Sequence, residues 1–221
     1  MKDNIDEALY RHKLWVDGYT EGEKLDLEGE TLSDIWLEGE NLSHANLSKV
    51  DLIDTSLRYA DLSYADLKSA DLSFTDLGYA DLSYANLSGA NLRFTNLSYT
   101  NLKNADLIGA DLRNTNLISA DLRDADLRDT NLMEANLQWV SHQNVKGQKV
   151  VSVQVDTSRP NNMISYWVDL DIWTTGCFQG TLEELKESIE NTHKDNEFLR
   201  KRYYRAIKYI LYEVKEGDIE N

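Results

Sequence analysis

From Leu27 to Leu137 a leucine stands at every fifth position, 23 times without a miss. Two residues before it, Ala, Thr or Val fills every repeat from Ala45 to Ala135. One residue before it stands Asp or Asn in 20 of the 23 repeats, the exceptions being Thr31, Trp36 and Ser56. A helix would carry such a leucine around all its sides, and a straight strand would flip it between two faces. The pattern is consistent only with a chain that turns once per unit. The small residue and the Leu then point inward, the Asp or Asn between them points outward, and the two variable residues lie near the turn. This predicts a solenoid whose coils stack through strand-like hydrogen bonds.

A longer period sets the number of sides: 15 residues for three, 20 for four. The aromatic positions Tyr59, Tyr64, Phe74, Tyr79, Tyr84, Phe94 and Tyr99 give four pairs at either spacing. At 20 all four pairs match in kind, Tyr with Tyr and Phe with Phe, whereas at 15 only two do. Thr55, Thr75, Thr95 and Thr115 also repeat at 20, as do Arg93 with Arg113 and Gly89 with Gly109. Four sides are predicted. A narrow interior then accounts for Leu with Ala or Thr beside it, because a larger residue would overpack the core. Asp and Asn bond local backbone in turns, which explains how the chain turns so often with one proline, Pro160.

Units such as ADLSY, ANLSG and ADLRD resemble those of the pentapeptide-repeat family. The resemblance implies a mainly β fold, a right-handed quadrilateral (four-sided) β-helix solenoid, over residues 26–140. The opening coil departs from it, with Glu30, Ile35 and Glu40 at the small position. An irregular first coil is therefore expected, with the regular coils beginning near Asn41.

Open coil ends expose unpaired strand edges and need covers. Residues 1–25 read as an N-terminal helical cap: 4–16 carry Ile5, Ala8, Leu9 and His12 on one side, Asn4 and Glu7 have capping-box spacing, and Gly18 is a stop. Residues 141–221 read as a small C-terminal α+β cap. There the runs 150–155 and 164–173 alternate at period two, with Pro160 and two asparagines between them, and predict a hairpin or small sheet. Thr181 and Glu184 open a helix, and a second follows at about 196–214. The stripe Leu199, Tyr203, Ile207, Ile210 and Val214 on that second helix allows two readings, packing on the protein's own body or a homodimer.

Charge narrows the partners. The formal net charge is −16, with −8 in residues 1–40, −6 in 41–140 and −2 in 141–221. Such a surface repels nucleic acid and anionic membranes, so direct binding to either is not expected. No apolar run approaches a membrane span, and the N-terminus lacks the uninterrupted apolar region of a secretory signal. Cys177, the single cysteine, permits no intrachain disulfide and suits a reducing cytoplasm. It reads as a small buried hydrophobe at a strand end.

Candidate chemistry is sparse. His12, His44, His142 and His193 lack the spacing of a zinc site, and no phosphate-binding loop is present. No catalytic, cofactor or metal residue is assigned, and no enzyme is expected. The basic run RKRYYR, residues 200–205, reads as a helix face pairing with nearby Glu. The candidate contact surface is the set of outward aromatics, Tyr59, Tyr79 and Tyr99 with Tyr64, Tyr84, Phe74 and Phe94. Stacked aromatics hold coils in register, and exposed ones also mark contact surfaces. The expected function is a rigid, non-catalytic binding or scaffold protein. The family resemblance implies an alternative, an acidic DNA mimic that binds a type II topoisomerase such as gyrase. Against it, no insertion breaks the Leu series and about 80 non-repeat residues follow it.

Overall fold

A computed structural model describes residues 2–32, 35–155 and 163–217. The chain forms two compact units, Met1–Asn136 with Val140–Gly147, and Leu137–Trp139 with Gln148–Asn221.

The first unit is a β solenoid. Parallel bridges join outward residues 20 positions apart, from Asp26 with Asn46 to Asp126 with Lys146. Twenty residues complete one coil, so each coil holds four five-residue units and four turns. From Leu27 to Leu132 the Leu carbonyl accepts the N–H three residues on, as Leu57 does from Ala60 at 3.1 Å. Neighbouring coils are joined by backbone bonds such as Leu57 N–H to the Asp76 carbonyl (2.8 Å) and Asp76 N–H to the Thr55 carbonyl (3.0 Å). Leucines from Leu32 to Leu132 are buried. The Asp or Asn before each one caps the turn, its Oδ1 accepting the N–H two residues on, as Asp61 does from Ser63 at 2.9 Å.

Threonine at the small position does more than save volume. The Thr75, Thr95 and Thr100 hydroxyls donate to the carbonyls of Leu52, Leu72 and Leu77 in the preceding coil, at 2.7, 2.7 and 2.8 Å. That direction explains the first coil. Over its described residues the backbone is regular from Asp26 onward, contrary to the expected irregularity, and the bridges and turn bonds of those residues are in place. Only its side chains depart: Glu30 and Glu40 are exposed and Ile35 is half-buried. With no coil preceding it, a small inward residue has nothing to fit against.

Helix α1, Lys2–Val16, belongs to this unit. It starts two residues before Asn4, so Asn4 lies inside the helix and not at a capping position. Its buried His12 meets the entry to the first coil, where Nδ1 accepts the Leu25 N–H at 3.0 Å. At the other end the turn pattern runs to Lys146, beyond the expected limit at 140. His142 occupies the leucine column there, so a search for Leu stops one unit early.

The second unit is α+β. Strands β1 (Val150–Gln154), β2 (Met163–Trp167), β3 (Ile172–Thr175) and β4 (Phe178–Gly180) form one antiparallel sheet in sequence order. The alternating run 164–173 is thus two strands, divided by a 3-10 turn at Val168–Leu170 and by Asp171 in the left-handed region at φ 52°. The expected turn at Pro160, Asn161 and Asn162 lies outside the described residues. Helix α2, Leu182–Thr192, opens with the predicted capping box between Thr181 and Glu184. Helix α3 spans Glu197–Gly217. Val155, Ile164, Trp173, Leu185, Ile189, Tyr203, Ala206, Ile207 and Ile210 make the core. The stripe on α3 therefore packs on its own unit at Tyr203, Ile207 and Ile210, with Leu199 and Val214 half-buried. That matches the first of its two readings at these three residues.

Candidate protein-contact surface

The outward aromatics sit at one recurring place, the residue two after each Leu. There the backbone has positive φ in both Gly and non-Gly residues, as at Tyr59 (59°), Phe74 (62°), Tyr79 (63°) and Tyr99 (60°). A non-glycine residue pays about 1–2 kcal/mol for this conformation. Aromatics are thus placed where the backbone favours Gly or Asn, and only a property of the side chain explains them. Sequence reasoning placed these residues near the turn but did not reveal the left-handed backbone.

Vertical stacking then follows from the 20-residue coil. Tyr79 and Tyr99 have ring centroids 4.8 Å apart and planes 3° apart, and Tyr59 lies 5.2 Å from Tyr79 at 19°. Tyr64 and Tyr84 stack at 4.8 Å and 1°, and Phe74 with Phe94 at 5.0 Å and 9°. All seven predicted residues are brought into columns, and three of the four turns of a coil carry one. The fourth column, Lys49, Ser69, Gly89 and Gly109, has none. The seven rings are 44–58% exposed, so stacking covers one pair of faces and leaves the edges and tips to solvent.

Two further parts of this surface escaped the sequence reading. The Tyr64 column continues through His44, stacked on Tyr64 at 4.9 Å, to Trp15 of α1 in an edge contact at 6.1 Å, and on to His12 at 5.7 Å. The signal was available, since His44 stands 20 residues before Tyr64. Arg58 lies over both Tyr59 and Tyr79, 5.2 and 5.5 Å from their ring centroids, with its guanidinium 3.2 Å from Asp76. A cation on the ring faces adds electrostatic attraction to stacking.

The acidic ladder is largely occupied. Asn86, Asn91, Asn96 and Asn101 donate through Nδ2 to Asp66, Asp71, Asp76 and Asp81 in the coil before, at 2.8–3.0 Å. Arg113, Arg123 and Arg128 grip Asp111, Asp121 and Asp126, and these side-chain bonds hold the three carboxyls below the usual carboxylate range. Among the described residues no group of three His, Cys, Asp or Glu side chains is arranged to hold a metal, and no helix is long and apolar enough to cross a membrane.

In the second unit the expected pairing of the RKRYYR run holds for its first two cations, Arg200 with Glu190 at 3.0 Å and Lys201 with Glu197 at 2.6 Å, whereas among the described residues Arg202 and Arg205 find no carboxylate. Cys177 does not match its expectation. It is exposed, in the two-residue turn between β3 and β4 after Gly176, because the strand ends at Thr175 and the chain reverses at once.

Comparison with known proteins converges on the repeat. A sequence profile described as Pentapeptide repeats (8 copies) matches residues 41–73, 75–114 and 110–141. Among solved structures, a pentapeptide repeat protein from the Arabidopsis thaliana thylakoid lumen is 33% identical over 47% of this chain and 69% of its own, with a TM-score of 0.42. HetL, involved in heterocyst differentiation regulation in the cyanobacterium Nostoc, is 30% identical over 54% and 67%, with a TM-score of 0.34. Rfr23 from the cyanobacterium Cyanothece is 29% identical over 64% and 98%, with a TM-score of 0.40. No curated protein matches the chain.

Proposed function

Because this chain belongs to the pentapeptide-repeat family, we propose that it is a non-catalytic binding or scaffold protein whose stacked aromatic turns receive a protein partner. In this reading the solenoid is right-handed and four-sided, and α1 caps its first coil. The supporting observation is the set of half-exposed aromatic columns at Tyr59–Tyr79–Tyr99, Tyr64–Tyr84 and Phe74–Phe94, built at backbone positions that favour glycine. Aromatic residues are enriched at protein interfaces, where a rigid ring gives contact area at little entropic cost. Backbone bonds between coils hold these rings in place before any partner arrives, which lowers the cost of binding.

The test compares wild type with the double variant Tyr79→Ser/Tyr99→Ser in capture from the source cell. Loss of a partner, with a cooperative unfolding transition retained, is expected. Equal capture by both proteins overturns the reading. The net charge of −16 supports the second reading, a DNA-like acidic surface for a type II topoisomerase, although Asn, Arg and backbone groups already occupy much of the Asp ladder. A gyrase supercoiling assay with neither inhibition nor quinolone protection at micromolar protein removes it.

A further inference from the structure

The second unit carries three cations that no described carboxylate answers. Arg202, Arg205 and Lys208 follow one another at steps of three along α3, so they share a face as like charges, an arrangement that disfavours the helix. No acidic residue stands three or four positions from any of them. Among the described residues none makes an ion pair, whereas their neighbours Arg200 and Lys201 do. Arg202 lies over the Phe198 ring at 5.4 Å, and the Arg205 Nε donates only to the Lys201 carbonyl at 3.3 Å. In a chain with 39 acidic and 23 basic side chains, a row that pairs with no described carboxylate is the unexpected outcome.

Its first two members, Arg202 and Arg205, border a groove. Arg202, Arg205, Ala206 and Tyr209 of α3 face Val153, Gln154 and Val155 at the end of β1, around a volume of about 240 Å³. That is below the roughly 300–1,000 Å³ of small-molecule sites but admits side chains. Its floor is apolar at Val153, Val155 and Ala206, its rim is cationic, and Tyr209 is half-exposed beside it. β1 ends the sheet order and has β2 as its one strand neighbour.

We propose that this groove docks an extended acidic segment of a partner protein, running along β1 with its carboxylates on Arg202 and Arg205, and with Lys208 one step further along α3 adding to the positive field. Alternate residues of an extended chain lie about 6.6 Å apart on one side, and cations three apart on a helix are about 4.5 Å apart along the axis. Flexible Arg side chains span that difference, and the guanidinium fork takes carboxylate in two parallel bonds. Apolar side chains of the segment meet Val153 and Tyr209. Nucleic acid fits less well, since tight backbone binding takes many phosphate contacts and three cations on an acidic chain do not supply them. The site lies within the second unit and is independent of the aromatic columns.

Fluorescence anisotropy on the full chain tests it with three labelled probes: a nonapeptide alternating Glu with Val, its Lys counterpart, and a nine-nucleotide single-stranded DNA. The Glu peptide is expected to bind in the micromolar range at low salt and to weaken as salt rises. Arg202→Glu/Arg205→Glu should weaken it at least tenfold, while Lys68→Glu/Lys103→Glu, with the same change in net charge, leaves it within twofold. Arg202→Gln/Arg205→Gln serves as the milder variant, with circular dichroism melting to verify folding, and should also weaken binding. Failure of the Glu peptide to bind, equal loss in the Lys68/Lys103 control, or DNA binding as tight as that of the peptide would each overturn the proposal.

Discussion

The rings of Tyr79 and Tyr99 lie 4.8 Å apart and within 3° of parallel, each projecting from a backbone with φ near 60°. Stacking and backbone strain therefore act on the same residues with opposite sign. Each aromatic pair contributes about 0.5–1.5 kcal/mol beyond area burial, and Tyr79 makes two, with Tyr59 and Tyr99. Tyr79→Ser should lower stability by about 1–3 kcal/mol without unfolding the solenoid. Tyr79→Gly removes the same stacks but also relieves about 1–2 kcal/mol of strain, so it should be the less damaging change. Urea denaturation of the two variants checks the order. If Gly proves worse than Ser, the positive φ carries no strain here.

The core makes a steeper demand. Leu87 is fully buried, and Ala85, two residues before it, is nearly so. Leu87→Ala should cost about 2–5 kcal/mol. Ala85→Phe forces a ring into a space sized for a methyl group and should cost at least about 1–3 kcal/mol. Each coil contacts only its neighbours, so hydrogen exchange should show the loss of protection concentrated within a coil or two of residue 87. Uniform loss along the whole solenoid would contradict that local character.

Asn91 donates through Nδ2 to Asp71 of the preceding coil at 3.0 Å. Asn91→Asp removes the donor and sets carboxylate over carboxylate. A loss of about 0.5–1.5 kcal/mol is expected from the hydrogen bond, with a further repulsive part that high salt screens only partly, because both positions are half-buried. Thermal melts at low and at high salt separate the two contributions. A variant as stable as wild type in both conditions would show that the Asn–Asp bond contributes nothing.

Much of the first unit was legible because one residue type, Leu, faces one environment at a fixed interval, and the 20-residue match of Tyr with Tyr and Phe with Phe gave the coil length. What stayed hidden depended on direction and dihedral angle. The Thr95 hydroxyl reaching back to the Leu72 carbonyl cannot be read from a column that also accepts Ala. The positive φ at Tyr79 is masked because aromatics are poor markers of that conformation. His142 hid the last turn by replacing Leu. In the second unit the alternation over 164–173 was correct for each strand, but Asp171, in the left-handed region, reverses the chain in mid-run. The cationic row on α3 was partly legible in RKRYYR, yet only the folded arrangement separates the paired Arg200 and Lys201 from Arg202 and Arg205.

His12 makes the N-terminal helix sensitive to acid. Its ring is buried, and its Nδ1 accepts the Leu25 N–H at 3.0 Å, so the neutral ring carries its proton on Nε2. Burial is the main cause that lowers its pKa, outweighing the Ser43 backbone, which raises it. The folded pKa thus lies below the ordinary value of about 6.5, and the unfolded chain takes up the proton first. The stabilisation is complete above the unfolded pKa and is lost as pH falls through the folded one. Protonation of Nδ1 would set two donors against each other at the Leu25 N–H. Amide exchange in α1 should therefore be slow at pH 7.5 and faster at pH 5, after correction for intrinsic rates, with the coils from Asn46 onward little changed. His12→Gln should weaken the helix at pH 7.5 and abolish most of the difference between the two pH values. Equal protection of α1 at both pH values in the wild type would exclude His12 as the source of acid sensitivity.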